Sequence, residues 1–208
     1  MTTFTGGGAN EVITPASVSF TVFPNFLFPT SGAGNDWLTG AATANRILGG
    51  AANASINGLG GVDSLIGGTG LYLLTGGSGA DRLLGGTGQD ILIGRLGQDN
   101  FVFATADNAL GLNADIIRGG AGAIAFEGVG AAVVDRIDLQ ALDANLTVSG
   151  NQTLLFGGTA TGPVRAINVG ANSVVPANTG ADAAFEFTVT INDGGVLAAA
   201  HVAADFIL

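Results

Sequence analysis

Residues 31–102 run without a gap as SGAGNDWLT (31–39), GAATANRIL (40–48), GGAANASIN (49–57), GLGGVDSLI (58–66), GGTGLYLLT (67–75), GGSGADRLL (76–84), GGTGQDILI (85–93) and GRLGQDNFV (94–102). The eighth position of these nonapeptides is Leu38, Ile47, Ile56, Leu65, Leu74, Leu83, Leu92 and Phe101, always large and apolar. A fixed short period of this kind marks a solenoid. Three residues centred on the eighth position are expected to form a short strand whose side chain points inward. The six residues before it form a tight turn, where glycine permits positive φ and close backbone approach. Such a turn brings carbonyl oxygens and the sixth-position carboxylate toward one point, and hard oxygen donors around one point suit calcium.

The pattern GGxGxDx(L/I)x resembles the RTX, or hemolysin-type calcium-binding, repeat. That resemblance implies a right-handed parallel β-roll with two nonapeptides per coil, residues 18 apart stacked, and calcium held between stacked turns. One edge then carries Asn45, Asp63, Asp81 and Asp99, and the other Asp36, Ala54, Tyr72 and Asp90. The expected metal residues are Asp63, Asp81 and Asp99 on the first edge, with Asn45 at its start. Asp36 and Asp90 are expected on the second, and turn glycines Gly58, Gly60, Gly76 and Gly79 complete the sites. Ala54 and Tyr72 donate no carboxylate, so two or three calcium ions are expected on the first edge and an empty or partly filled second edge. The competing reading is ordinary turn aspartate capping its own backbone.

Outside the repeat, residues 1–30 hold Phe20, Phe23, Phe26 and Phe28 among Pro24 and Pro29. They read as a cap on the first coil or as an exposed contact patch. Residues 103–208 read as a β-rich, sandwich-like region, with Ala184–Ile191 alternating before an Asn192-Asp193-Gly194 turn. The segment VVDRIDLQALDAN (133–145), the FVF of 101–103 and the DII of 115–117 resemble the region C-terminal to the roll in serralysin-type secreted metalloproteases. The ADFIL end (204–208) resembles an uncleaved C-terminal signal for type I secretion. The zinc protease domain of those enzymes has no counterpart in residues 1–30, which contain no histidine. The resemblance therefore implies secretion and calcium-dependent folding, not proteolysis.

Composition narrows the chemistry. The 208 residues carry 36 glycines, 6 basic and 16 acidic residues, one histidine and no cysteine, for a net charge of −10. All six basic residues are arginine. Phosphate-binding or Schiff-base lysines, thiol chemistry and multi-histidine zinc sites are excluded. Six scattered arginines on an acidic chain argue against nucleic acid. A hydrophobic share of 47% argues against disorder, and glycine without a Gly-X-Y period excludes collagen. No 18-residue apolar run predicts a transmembrane helix, and MTTFTGGGANEV (1–12) lacks the features of a cleaved signal peptide.

Other motifs are weaker. Gly120 to Ala125 matches GxGxxA without a following helical pattern. His201, Asp205 and Ser173 lack a GxSxG nucleophile elbow. Asp135, Asp138 and Asp143 fit turn or calcium roles better than a carboxylate-pair hydrolase. Asn145-Leu-Thr147 and Asn151-Gln-Thr153 match glycosylation sequons. The expectation is an extracellular, non-catalytic calcium-binding protein, exported by type I secretion machinery and folding outside the cell. It then self-assembles as a surface layer, matrix or filament. The alternatives are a folding or binding module for a separate secreted hydrolase or adhesin, and an enzyme of unknown class.

Overall fold

The computed structural model describes residues 12–13, 26–28, 34–104, 114–119, 135–141, 155–156, 163–164, 167–169, 172–177, 187–192 and 205–207. Phe20, Phe23, the GxGxxA segment, Asp143, both sequons, His201 and the Asp193-Gly194 half of the proposed turn lie outside them.

The strands are β1 (Val12–Ile13), β2 (Phe26–Phe28), β3 (Asp36–Thr39), β4 (Asn45–Gly50), β5 (Ala54–Gly60) and β6 (Ser64–Thr69). Then come β7 (Tyr72–Ser78), β8 (Arg82–Thr87), β9 (Ile91–Leu96), β10 (Asn100–Ala104), β11 (Asp115–Arg118) and β12 (Arg136–Ala141). The last are β13 (Leu155–Phe156), β14 (Pro163–Val164), β15 (Ile167–Val169), β16 (Asn172–Ala177), β17 (Phe187–Asn192) and β18 (Phe206–Ile207). Among the described residues, no helix is long and apolar enough to cross a membrane.

Odd and even strands of the repeat separate into two parallel sheets. One runs β1-β3-β5-β7-β9-β11 and continues through β17, β16, β14 and β13; the other runs β18-β12-β10-β8-β6-β4-β2. Partners lie 18 residues apart, as in Leu38↔Ile56, Ile56↔Leu74 and Leu65↔Leu83. Each coil is thus two nonapeptides, and four coils span β3 to β10.

Alternation along a strand sends every second side chain to the same face. The burial pattern of β3, buried-exposed-buried-intermediate, shows that positions six and eight both face inward. The eighth-position column from Leu38 to Phe101 is fully enclosed between the sheets. Beyond the repeat, Ile117 stacks on Leu92 and Ile137 on Phe101, so β11 and β12 extend the same core. Phe103 meets Phe187 edge to face at 5.3 Å between ring centroids. β17 joins parallel to β11 and antiparallel to β16. The described C-terminal strands therefore add to the two sheets of the roll, and β17 finds its antiparallel partner in the preceding strand.

The repeat strands β3 to β10 are longer than three residues, several covering six or seven. They run on through the first positions of the following nonapeptide, because the stacked backbones keep pairing there, as in Leu59↔Gly77 and Gly60↔Ser78. The second position turns with positive φ at Gly50, Gly68, Gly77 and Gly86, but Leu59 (φ 78°) and Arg95 (φ 80°) hold the same conformation without being glycine. A left-handed L-residue costs roughly 1–2 kcal/mol, and added glycine freedom in the unfolded chain returns part of it. Leu59→Gly is therefore expected to stabilise the calcium-loaded roll by about 0.5–1 kcal/mol, measured as a raised denaturation midpoint.

Candidate metal sites along the two edges

The sixth-position carboxylates are built into the stack. On the first edge the Asn45 N–H donates to Asp63 Oδ1 at 2.7 Å, Asp63 N–H to Asp81 Oδ1 at 2.8 Å, and Asp81 N–H to Asp99 Oδ1 at 2.9 Å. The main chain runs alongside, with Arg82 N–H donating to the Asp63 carbonyl and Asn100 N–H to the Asp81 carbonyl. One carboxylate oxygen per coil thus replaces a missing main-chain acceptor at the corner. These are not aspartates capping their own turn; each reaches across to the neighbouring coil.

The second oxygen is the reactive one. Oδ2 of Asp63 and Oδ2 of Asp81 are buried and accept no hydrogen bond. Burying an ionised carboxylate without a partner is costly. Burial pushes the Asp63 carboxyl above its ordinary value, a rise countered in part by the Asn45 N–H. Burial pushes Asp81 up to about 6, opposed by the Asp63 N–H and reinforced by the Asp63 charge.

The turn glycines bring further oxygens to the same places. A Cβ on Gly58 would collide with both Asp63 Oδ2 and the carbonyl oxygen of Gly76. Oxygens from two successive coils therefore converge where Gly58 leaves space. Gly76 makes room for Asp81 Oδ2, Gly85 for Asp90 Oδ2, and Gly94 for Asp99 Oδ2. Gly79 has φ +138°, and a Cβ there would strike the Gly61 carbonyl. Gly60 departs from the expectation: its Cβ position comes nearest to Ser78 Oγ, at 3.0 Å, whereas the adjacent Gly61 carries φ +107° and abuts Thr43 and Ala44. In that turn the conformational demand falls on Gly61.

No three His, Cys, Asp or Glu side chains group together among the described residues. A cation between these coils would take oxygens from one or two carboxylates and from main-chain carbonyls. That donor set is hard and flexible, and it fits calcium. Asp63 and Asp81 on the first edge, with Asp99 stacked on them, are the residues placed to hold it. Asn45 differs: its Oδ1 accepts the Ala41 N–H at 2.6 Å, and its buried Nδ2 has no partner. An amide nitrogen does not ligate a cation, so the carboxylate column starts at Asp63.

The second edge is closed at its centre. Asp36 stacks on Ala54 and Ala54 on Tyr72. Ala54 leaves the space above Gly49 unfilled, and the Tyr72 ring reaches back to fill it, lying against both Gly49 and Gly67. Its hydroxyl donates to the Gly50 carbonyl at 3.0 Å. Burial, then the charges of Asp90 and Asp36, push the phenol up to about 12, so it stays neutral. An aromatic ring here occupies the space a carboxylate would take. Asp36 is buried but separated from Asp90 by this plug.

The nonapeptide frame leaves Asp115 and Asp135 out of the metal set, and the structure adds both to the carboxylate columns. Asp90 N–H donates to Asp115 Oδ1, and Asp99 N–H to Asp135 Oδ1, each at 2.8 Å. The signal is present as Asp-Ile-Ile117 and Asp-Arg-Ile137, which repeat the sixth-to-eighth spacing. Stacking intervals of 25 and 36 residues, in place of 18, hide it from the frame. Asp138 has a different place, accepting from Asn100 Nδ2 at 3.4 Å and from the Gln140 N–H at 3.1 Å.

In the calcium-free protein the raised Asp81 value sets a pH dependence. A carboxyl whose folded value lies above its ordinary 3.8 contributes stability that is complete below 3.8 and lost as pH rises through about 6. The calcium-free chain is thus expected to show more strand signal by circular dichroism at pH 4 than at pH 7. Calcium affinity should change in the opposite sense, weakening as pH falls below 6, because protons and calcium compete for the same carboxylates.

The RTX calcium-binding nonapeptide repeat (4 copies) matches residues 30–56, 40–71 and 73–105. No curated protein matches the chain in sequence. The solution structure of the AlgE6R3 subunit from the Azotobacter vinelandii mannuronan C5-epimerase is similar at 21% identity, covering 97% of this chain and 80% of that one, with a TM-score of 0.38. The AlgE6R2 subunit from the same enzyme is similar at 24% identity, covering 83% of this chain and 86% of that one, with a TM-score of 0.31.

Proposed function

Since the chain carries RTX calcium-binding nonapeptide repeats between residues 30 and 105, we propose that it is an extracellular structural protein whose fold is set by calcium and which does no chemistry of its own. The observation that carries calcium-set folding is the pair of buried, unpartnered oxygens on Asp63 and Asp81. Where calcium is scarce, these carboxylates are desolvated and repel one another, and glycine-rich turns are entropically expensive to order. The chain then stays unfolded, in the form that passes through type I secretion machinery. Outside, sites with dissociation constants of ~10⁻⁴–10⁻³ M fill at millimolar calcium, and binding adds to folding free energy.

Once folded, the roll associates with further copies of itself. Val62 (63% exposed) and Leu96 (61% exposed) stand on turns of the first edge, two coils apart, with Leu59 beside Val62. Apolar side chains on a stacked edge favour lateral contact between rolls. Electron microscopy and light scattering in about 10 mM calcium test this. Ordered assemblies are expected in calcium and not in chelator, and a Val62→Asp, Leu96→Asp variant is expected to stay monomeric with unchanged circular dichroism. Wild-type protein that is folded and strictly monomeric in calcium would overturn self-assembly while leaving calcium-set folding in place. A second reading, a binding module serving a separate secreted hydrolase or adhesin, draws support from Trp37, exposed on the opposite edge.

A further inference from the structure

A groove runs along the second edge of the roll, and we propose that it binds a linear, uncharged polysaccharide. The groove has a volume of about 360 Å³ and crosses four coils, β3, β5, β7 and β9. At ~4.8 Å between strands, it is ~14 Å long, roughly the length of a trisaccharide. Asp36, Ala54 and Tyr72 lie along it with their side chains buried. The groove therefore runs between the outward rows of fifth- and seventh-position residues.

The walls are two columns in register. One is the outward row Trp37, Ser55, Leu73 and Ile91, paired strand to strand. Trp37 is the chain's one tryptophan and is 67% exposed. An exposed indole on a rigid strand offers a flat apolar face with a polar edge, which suits the C–H face of a pyranose ring. The other wall holds Asn53 and Gln89. Asn53 Oδ1 is held by the Leu71 N–H at 2.7 Å, which orients its amide NH₂ as a fixed donor. Gln89 Nε2 donates to the Ala114 carbonyl at 3.3 Å, which holds this side chain in place. Apolar platforms with a few fixed polar groups are the usual makeup of a ligand site. Asn53 and Gln89 stand two coils apart, with the exposed Leu71 between them, so polar contacts flank an apolar step along the groove.

Charge selects the class. Among the described residues no arginine lines the groove, and the chain carries −10 overall. A uronate polymer meets like charge without a cationic partner, which disfavours it.

The test uses full-length protein in about 10 mM calcium, with cellohexaose, laminarihexaose and hexagalacturonate as probes. Emission from Trp37 reports directly on the groove. A saturable emission change with at least one neutral hexasaccharide is expected, with hexagalacturonate at least about tenfold weaker. By calorimetry, Trp37→Ala should lose about tenfold or more, and Trp37→Phe should recover part of that, with circular dichroism in calcium unchanged for both. The proposal is overturned if neither neutral probe binds at millimolar concentration, if hexagalacturonate binds more tightly, or if Trp37→Ala binds as well as wild type. It is overturned equally if Trp37→Ala abolishes self-association instead of glycan binding. Circular dichroism in the same samples separates failure of calcium-set folding from failure of the groove.

Discussion

In chelator the protein should lose its roll, and millimolar calcium should restore it. The magnitudes make this a large effect. At calcium ten to a hundred times the dissociation constant, each site contributes about 1.4–2.7 kcal/mol. Two or three sites then supply a sum of the same order as the whole 5–15 kcal/mol stability of a typical domain. Asp81 is the sharpest place to examine it, because its carboxylate stands between those of Asp63 and Asp99 in the first-edge column. Asp81→Asn keeps an oxygen for the Asp63 N–H but puts nitrogen where Oδ2 meets the space left by Gly76. The calcium midpoint for folding, followed by circular dichroism, is expected to rise at least about tenfold. Asp81→Ala removes the acceptor as well and should cost a further ~1–3 kcal/mol from the stranded Asp63 N–H. A variant with an unchanged calcium midpoint would remove Asp81 from the metal set.

The second large effect concerns Tyr72. Its ring fills space at two successive turns and its hydroxyl satisfies the Gly50 carbonyl. Tyr72→Ala should cost about 3–5 kcal/mol, the usual range for deleting a buried aromatic, with the first-edge sites left to bind calcium as before. The paired change Ala54→Asp, Tyr72→Asp is expected to do something different. It completes a carboxylate column of Asp36, residues 54 and 72, and Asp90 on the second edge. Equilibrium dialysis should then count at least one calcium more per chain than in wild type. A double variant that folds in calcium with unchanged stoichiometry would show that carboxylate identity alone does not make a site on this edge.

Much of this was legible in the chain. The nonapeptide fixed the eighth-position core, the 18-residue stacking and the membership of both edges, because one side chain per repeat must face inward and glycine must stand where backbones touch. Two things escaped it. Asp115 and Asp135 carry the same local signature as Asp90 and Asp99, but intervening chain destroys the period, and only pairing in space returns them to their columns. Tyr72 was legible as a missing carboxylate, yet its contribution to packing was not, since that depends on the Ala54 gap one coil away. Gly60 and Gly61 show a finer limit: in a run of glycines, the sequence does not say which one bears the positive φ.

The separation of odd and even strands gives the fold a parity. A change in length of 18 residues leaves every later strand in its own sheet and every carboxylate on its own edge. A change of nine does not: it hands each following strand to the opposite sheet and each acidic column to the opposite corner. Beyond the repeat the residue count no longer matters: 25 residues from Asp90 to Asp115 and 36 from Asp99 to Asp135 each carry their column one coil further. Within the repeat, duplication in even numbers therefore keeps both columns in place, although the unit visible in the sequence is the single nonapeptide.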